Sequence, residues 1–175
     1  ELMFFTDKQQ VYKTRASEFG ETKASLLGDY LPGKLGMDAG ENVIFLCLPG
    51  DYSGSLLFAF ENGRVARVAL SAYATTSNRR KLTGAYCDKF PLVQILPLTE
   101  DRELALLTNE PRALLVHTAL LAPKTTRGTQ GVQVMSADFP GLVQTSQNLG
   151  VITAEDDGLR FSLSIRSSVA SEKEM

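Results

Sequence analysis

The segment Leu56–Arg67, LLFAFENGRVAR, constrains the fold more than any other. Leu56, Phe58 and Phe60 alternate with Leu57 and Ala59, Glu61-Asn62-Gly63 is a polar turn, and Val65 and Val68 resume the apolar pattern. Asn-Gly between two alternating runs predicts a hairpin, because both residues tolerate the positive φ that a twist-matched turn requires. The chain repeats this segment. Leu2–Lys13 (LMFFTDKQQVYK) and Leu104–Leu115 (LALLTNEPRALL) align with it without gaps, at offsets of 54 and then 48 residues. Leu2, Leu56 and Leu104 form one column, Phe4, Phe58 and Leu106 the next, and Asp7, Glu61 and Asn109 mark the turns. Val11, Val65 and Ala113 fall on the return strands. A hairpin recurring at this spacing predicts an array of blades that bury their apolar faces on one another. The first turn, Asp7–Gln10, lacks glycine, so a geometry different from that at Gly63 is expected there.

Each hairpin is followed by an outward loop and a further apolar run. The runs are Asn42–Leu48, Pro91–Leu98 and Val132–Met135. The first, NVIFLCL, reads as a buried strand from its length and β-branched content. Gly150–Thr153 and Leu159–Ile165 can pair over Glu155–Gly158 as a closing unit. Apolar residues seldom recur at helical spacing, so no helix is expected. The reading is all-β: a propeller-like array of three to four blades in one domain, 1–166. Its units span about 2–48, 56–98 and 104–135, with a degenerate unit at about 141–166 and a frayed tail at 167–175. The chain starts without Met, directly at a strand, and reads as a piece of a longer protein.

Several chemistries lack their residues. The one histidine, His117, follows an apolar run and reads as a hydrogen-bonded structural group; there is no G-x-S-x-G elbow and no G-K-[ST] phosphate loop. Glu155-Asp156-Asp157 reads as a solvated acidic turn rather than a cation site, since no second cluster completes a shell. Cys47 and Cys87, 40 residues apart in or beside apolar runs, read as buried thiols in a reducing compartment, not a zinc site. No apolar run is long enough to span a membrane.

The distribution of charge says more than its sum of −2. Between Arg64 and Thr99 six bases face one acid; between Pro111 and Met135 there are three bases and no acid; from Asp138 onward three bases face six acids. Bases recur in the three outward loops, at Lys23, at Arg79, Arg80 and Lys81, and at Lys124 and Arg127, mixed with Ser, Thr, Asn and Gly. Lys13, Arg15, Arg64, Arg67 and Lys89 extend the set. Loops aligned along one rim would suit a phosphate backbone, with Lys and Arg releasing counterions and hydroxyl and amide groups donating to phosphate oxygens. No recognition helix and few interleaved aromatics are present, so base reading is not expected. The competing reading is a protein-interaction propeller with no affinity for nucleic acid.

Taken together, FFTDKQQVYKTRASEF (4–19), GENVIFL (40–46), LLFAFENGRVARVALSAY (56–73), ALLTNEPRALLVHTALL (105–121) and RGTQGVQVM (127–135) resemble the C-terminal repeats of type IIA topoisomerase A subunits. These are the A subunits of bacterial DNA gyrase and topoisomerase IV. The resemblance implies a β-pinwheel whose blades exchange strands and whose basic rim binds and bends duplex DNA. It implies a non-catalytic domain with no cofactor of its own, the ATP and Mg2+ of the parent enzyme being used elsewhere. The implied partners are duplex DNA, the N-terminal breakage-reunion domain of the same parent chain and the ATPase B-type subunit, in the bacterial cytoplasm at the nucleoid. The tyrosines Tyr12, Tyr30, Tyr52, Tyr73 and Tyr86 are then structural. The gyrase heptapeptide Q-R-R-G-G-K-G is absent, fewer blades fit than the six of gyrase, and the chain is slightly acidic. These departures point to a topoisomerase IV-like protein rather than to one that wraps DNA fully.

Overall fold

The computed structural model describes residues 1–75, 79–107 and 113–134 in full, and 145–155 and 158–167 as strands. Hairpins open all three units: β1 (Leu2–Thr6) with β2 (Gln10–Thr14), β4 (Ser55–Phe60) with β5 (Arg64–Ala69), and β8 (Glu103–Leu107) with β9 (Ala113–His117). Their registers coincide: Leu2 pairs with Thr14, Leu56 with Val68 and Leu104 with Val116. The alternation that defined the repeat therefore also fixed the pairing, because a one-residue slip would turn every apolar side chain to the other face.

Two sheets complete the first and second hairpins by the same rule. β3 (Val43–Cys47) adds to β1, and β7 (Leu92–Leu98) adds to β4. On the other side, β6 (Lys81–Thr83), from the loop after the second hairpin, pairs with β2 of the first. β10 (Val132–Gln133), from the loop after the third hairpin, pairs with β5 of the second. The strand orders are β3-β1-β2-β6 and β10-β5-β4-β7. Each unit thus lends a short strand to its predecessor, which is the exchange expected of a pinwheel. β11 (Thr145–Glu155) and β12 (Gly158–Ser167) pair with each other in a two-stranded sheet, longer than the segments read from sequence.

The blades stack through two cores. Met3, Phe5 and Val11 of the first sheet meet Leu56, Phe58 and Val68 of the second, with Phe5 and Phe58 rings 6.2 Å apart. Leu57 and Val65, on the opposite face of the second sheet, join Leu98, Leu121, Leu104, Leu106 and Val116. β4 is thus buried on both faces, and each large apolar side chain enclosed there contributes about 1.5–3 kcal/mol.

Three expectations are corrected. The first turn shares the geometry of the second: Gln9 takes the left-handed φ of 54° where Gly63 takes 76°. Identical registers on either side impose the same turn, glycine or not. Second, β3 buries only one face: Phe45 and Cys47 join the core, while Ile44 and Leu46 on the other face are 46% and 45% exposed rather than buried. Third, one short helix, α1 (Leu31–Leu35), interrupts the first outward loop, started by Pro32 and ended by Gly36 at φ 66°. Asn109, Ser77, Asn78, Asp156, Asp157, 136–144 and the tail at 168–175 lie outside the described residues.

Candidate nucleic-acid interface

The eleven candidate cations divide by where they sit on the blades. Those on strands turn into the fold. Lys13 on β2 is 5% exposed; its Nζ donates to Tyr73 O (3.1 Å) and Thr75 Oγ1 (3.3 Å), pairs with Glu1 at 3.5 Å and lies over the Tyr52 ring. Arg67, at the same place on β5, donates to Ser55 Oγ (2.8 Å), Asp101 Oδ1 (2.7 Å), Thr118 O (2.9 Å) and Leu121 O (3.3 Å). Lys13 and Arg67 are one column of the repeat, and Tyr73 and Leu121 are another. Each cation reaches forward to the short 3-10 turn that begins the next unit's loop, Leu70–Tyr73 or Thr118–Leu120. Such a cation on a strand with buried neighbours must be paired, since desolvating it alone would be prohibitive.

Two further arginines lock the exchanged strands. Arg64 donates to Gln130 O (3.1 Å), Gly131 O (2.9 Å) and Gln133 Oε1 (3.4 Å), holding β10 against β5. Arg127 donates to Ala72 O (3.0 Å), Thr83 O (3.3 Å) and Gly84 O (3.4 Å), 6.0 Å from the Tyr73 ring centroid. Lys13, Arg64, Arg67 and Arg127 therefore leave the outer rim on which the sequence placed them; their donors are occupied by backbone and side-chain oxygens. Lys81 is intermediate, paired with Asp38 at 2.8 Å and lying over Tyr12; that hydrogen bond raises the lysine pKa and lowers the aspartate's.

Arg15, Lys23, Arg79, Arg80, Lys89 and Lys124 remain exposed. Arg15, Arg79 and Arg80 converge on a groove of about 1210 Å³ between the first and second units. Lys13 lines its floor, and Thr14, Ser17, Glu18, Tyr52 and Thr75 contribute polar atoms. Arg80 donates to both Glu18 oxygens, at 3.2 and 3.1 Å. The Glu18 carboxyl is held below the usual range by the Arg15 backbone N–H first, then by the nearby Thr14 hydroxyl and Arg80. Lys124 is exposed beside the second hairpin but at a different register, since the exchanged strands put Gln130, not Lys124, at the place of Arg80. The Lys13 N–H bonds Arg80 O (2.7 Å), and the Lys124 N–H bonds Arg67 O (2.8 Å). Lys23 does not line the groove; it belongs to the exposed segment before α1. Glu18, Thr14 and Ser17 were missed from the sequence, because only the exchange of β6 brings them to Arg79 and Arg80.

Several other polar groups are hydrogen-bonded within the fold. The His117 Nδ1, at the end of β9, accepts from the Ala119 N–H at 3.3 Å. Tyr12, Tyr73 and Tyr86 donate to Glu41 Oε2 (2.7 Å), Ala85 O (2.6 Å) and Thr6 O (2.7 Å). Cys47 and Cys87 are free and buried, and no group of three metal-ligating side chains occurs among the described residues. No helix among them is long and apolar enough to cross a membrane.

No protein-family model matches the chain. It is similar to the DNA gyrase A subunit of Mycoplasma pneumoniae, 22% identical over 151 residues that make up 85% of this chain and 18% of that protein. Among solved structures it is similar to the C-terminal domain of DNA topoisomerase IV, with a TM-score of 0.64 and 24% identity over 77% of this chain and 42% of that one. The E. coli ParC C-terminal domain follows at a TM-score of 0.56 and 17% identity, covering 77% of this chain and 54% of that one. For a DNA gyrase A C-terminal domain the TM-score is 0.52 at 17% identity, over 77% and 42%. The chain spans 18% of the length of its gyrase relative and 42% to 54% of these structures. The strand exchange and these neighbours together make the chain a β-pinwheel of the kind that forms the C-terminal domains of type IIA topoisomerase A subunits.

Proposed function

We propose that this chain is the DNA-binding and DNA-bending accessory domain of an ATP-dependent type II topoisomerase, non-catalytic in itself. The observation that carries the reading is a cluster of exposed cations at a blade boundary. Arg15, Arg79 and Arg80 converge on the groove between the first and second units, and Lys124 is exposed beside the second hairpin. Exposed cations along successive blades give a duplex backbone a series of contacts. Bending a 20–30 bp site by 40–90° costs on the order of 1–6 kcal/mol, which several such contacts offset at low salt. The working partners would be duplex DNA, the breakage-reunion domain and the ATPase B-type subunit of the parent enzyme in the bacterial cytoplasm. ATP and Mg2+ would act on those other parts.

The test is duplex binding across a salt series. Affinity should fall linearly with log salt, and charge reversal of Arg79, Arg80 and Lys124 to Glu should abolish retardation at low salt. Binding that ignores salt and survives the reversal would remove the proposed edge. Complete absence of retardation at low salt would favour a protein-interaction pinwheel.

A further inference from the structure

The groove between the first and second units carries more than surface charge. Thr14 lies at its wall with only 5% of its surface exposed, and its Oγ1 is the one buried side-chain oxygen or nitrogen among the described residues that lacks a hydrogen bond of ordinary geometry. The acceptor it faces is the Glu18 carboxylate, which it meets off the ordinary hydrogen-bond geometry, and an under-satisfied buried hydroxyl is open to a better-placed acceptor once that carboxylate moves. Around it stand Lys13, Arg15, Arg79 and Arg80 against the carboxylates of Glu1 and Glu18. Glu1 is taken up by Lys13 and Tyr52. Glu18 places both carboxylate oxygens on one Arg80 nitrogen, Nη2, a charged donor for which a phosphate oxygen competes. The next blade lacks these groups. At the 54-residue offset, Thr14, Arg15 and Glu18 become Val68, Ala69 and Ala72.

We propose that this groove seats one phosphate of a duplex DNA backbone, bound by Arg15, Arg79, Arg80 and the Thr14 hydroxyl, and that Glu18 occupies Arg80 as an internal stand-in until DNA displaces it. The inference rests on the DNA-binding reading above and adds to it a defined contact with a built-in competitor. No bond is made or broken in the exchange. The carboxylate leaves one guanidinium for solvent as the phosphate arrives, and the Thr14 hydroxyl gains a well-placed acceptor. The seat is specific to the first boundary, so one phosphate is registered there while Lys124 meets the backbone more loosely one blade on.

The experiment is fluorescence anisotropy of a duplex of about 30 bp with the whole chain, over a salt series. The variants are Glu18→Gln, Thr14→Val and Arg79→Ala, with Glu61→Gln and Lys124→Ala as changes outside the groove. Glu18→Gln retains the acceptor for the Arg15 N–H and should bind about three- to tenfold more tightly, with a salt slope steeper by about 1, because one more phosphate is neutralised. Thr14→Val should weaken binding a few-fold and leave the slope unchanged, since the hydroxyl carries no charge. Arg79→Ala should weaken binding and remove most of the gain from Glu18→Gln. Glu61→Gln should bind as the parent does. If Glu18→Gln and Glu61→Gln tighten binding equally, or if the Glu18→Gln gain survives Arg79→Ala in full, the seat is refuted. If groove variants change nothing while Lys124→Ala weakens binding, the seat fails and the DNA reading stands. If neither the parent nor Glu18→Gln binds at low salt, both fall.

Discussion

Replacing Arg67 by Met separates a clamp from a DNA contact. Met keeps the unbranched stem and deletes every donor. The guanidinium of Arg67 serves Ser55 Oγ, Thr118 O, Leu121 O and Asp101 Oδ1. Thr118 O keeps a second donor, the Leu121 N–H at 3.0 Å, and Asp101 keeps the Thr118 hydroxyl at 3.0 Å. Asp101 is 43% exposed and can hydrate, so its ion pair adds nothing that we count. Leu121 O and the Ser55 hydroxyl, on a residue 1% exposed, each lose this donor. At about 1–3 kcal/mol for each of these two buried polar groups left without its partner, the loss is about 2–6 kcal/mol. With an m-value of roughly 2 kcal/mol/M, the urea midpoint should fall by about 1–3 M. Arg67→Lys should fall less, since Lys13 shows that an ammonium in this column reaches a carbonyl and a hydroxyl of the next unit. A midpoint within about 0.2 M of the parent, or duplex affinity lost while the midpoint holds, would refute the clamp and return Arg67 to the rim.

Gly131→Ala should cost at least about 2 kcal/mol in urea unfolding, because a Cβ there would lie 2.1 Å from Val65 O at a φ of +68°, on the bend that delivers β10. Gln9→Gly should stabilise the chain by about 0.5–1 kcal/mol in thermal unfolding, as it relieves a left-handed non-glycine in a turn whose twin already has Gly63. Asp7 accepts from the Asn42 N–H at 2.9 Å and Nδ2 at 2.8 Å, and the backbone bond first, then the side-chain one, lowers its pKa. A lowered folded pKa means stability present above the ordinary aspartate value of about 3.9 and lost as pH falls through the folded value. The stability gap between the parent and Asp7→Asn should therefore narrow below pH of about 4 in urea titrations.

The hairpins were legible because their information is local. Leu56, Phe58 and Phe60 alternate with Leu57, and the same columns return at Leu2 and Leu104. The partners of β6 and β10 were not legible. Three- and two-residue strands carry no period, and pairing Val11 with Leu82 or Val65 with Val132 spans more than 65 residues. The cations were legible as a group and misplaced individually. Lys13, Arg64 and Arg67 lie within strands, where alternation with core residues already signals a charge that must find a partner. Arg127 gave no such signal, since its carbonyl acceptors on 72, 83 and 84 meet only through the fold. At Gln9 residue identity misled, because strand register rather than propensity sets that turn.

The clamp column also orders the cohesion of the array. Lys13 ties the first hairpin to the second unit and Arg67 ties the second to the third; the next member is Leu115, which is apolar and 49% exposed. Among the described residues β8 pairs only with β9, whereas the first and second hairpins each gain a strand on both sides. The third hairpin is thus held by the smaller core around Leu57 and Leu98, by Arg67, and by the β10 strand its loop sends back to β5. Local opening should follow that gradient, since segments with fewer buried contacts open at lower free energy than the whole. In native-state hydrogen exchange, the amides of β8 and β9 should exchange before those of β1 and β4. Arg67→Met should accelerate β8 and β9 selectively. Equal acceleration of β1 would mean that the two cores unfold as one, and that the clamp stabilises the array as a whole rather than one boundary.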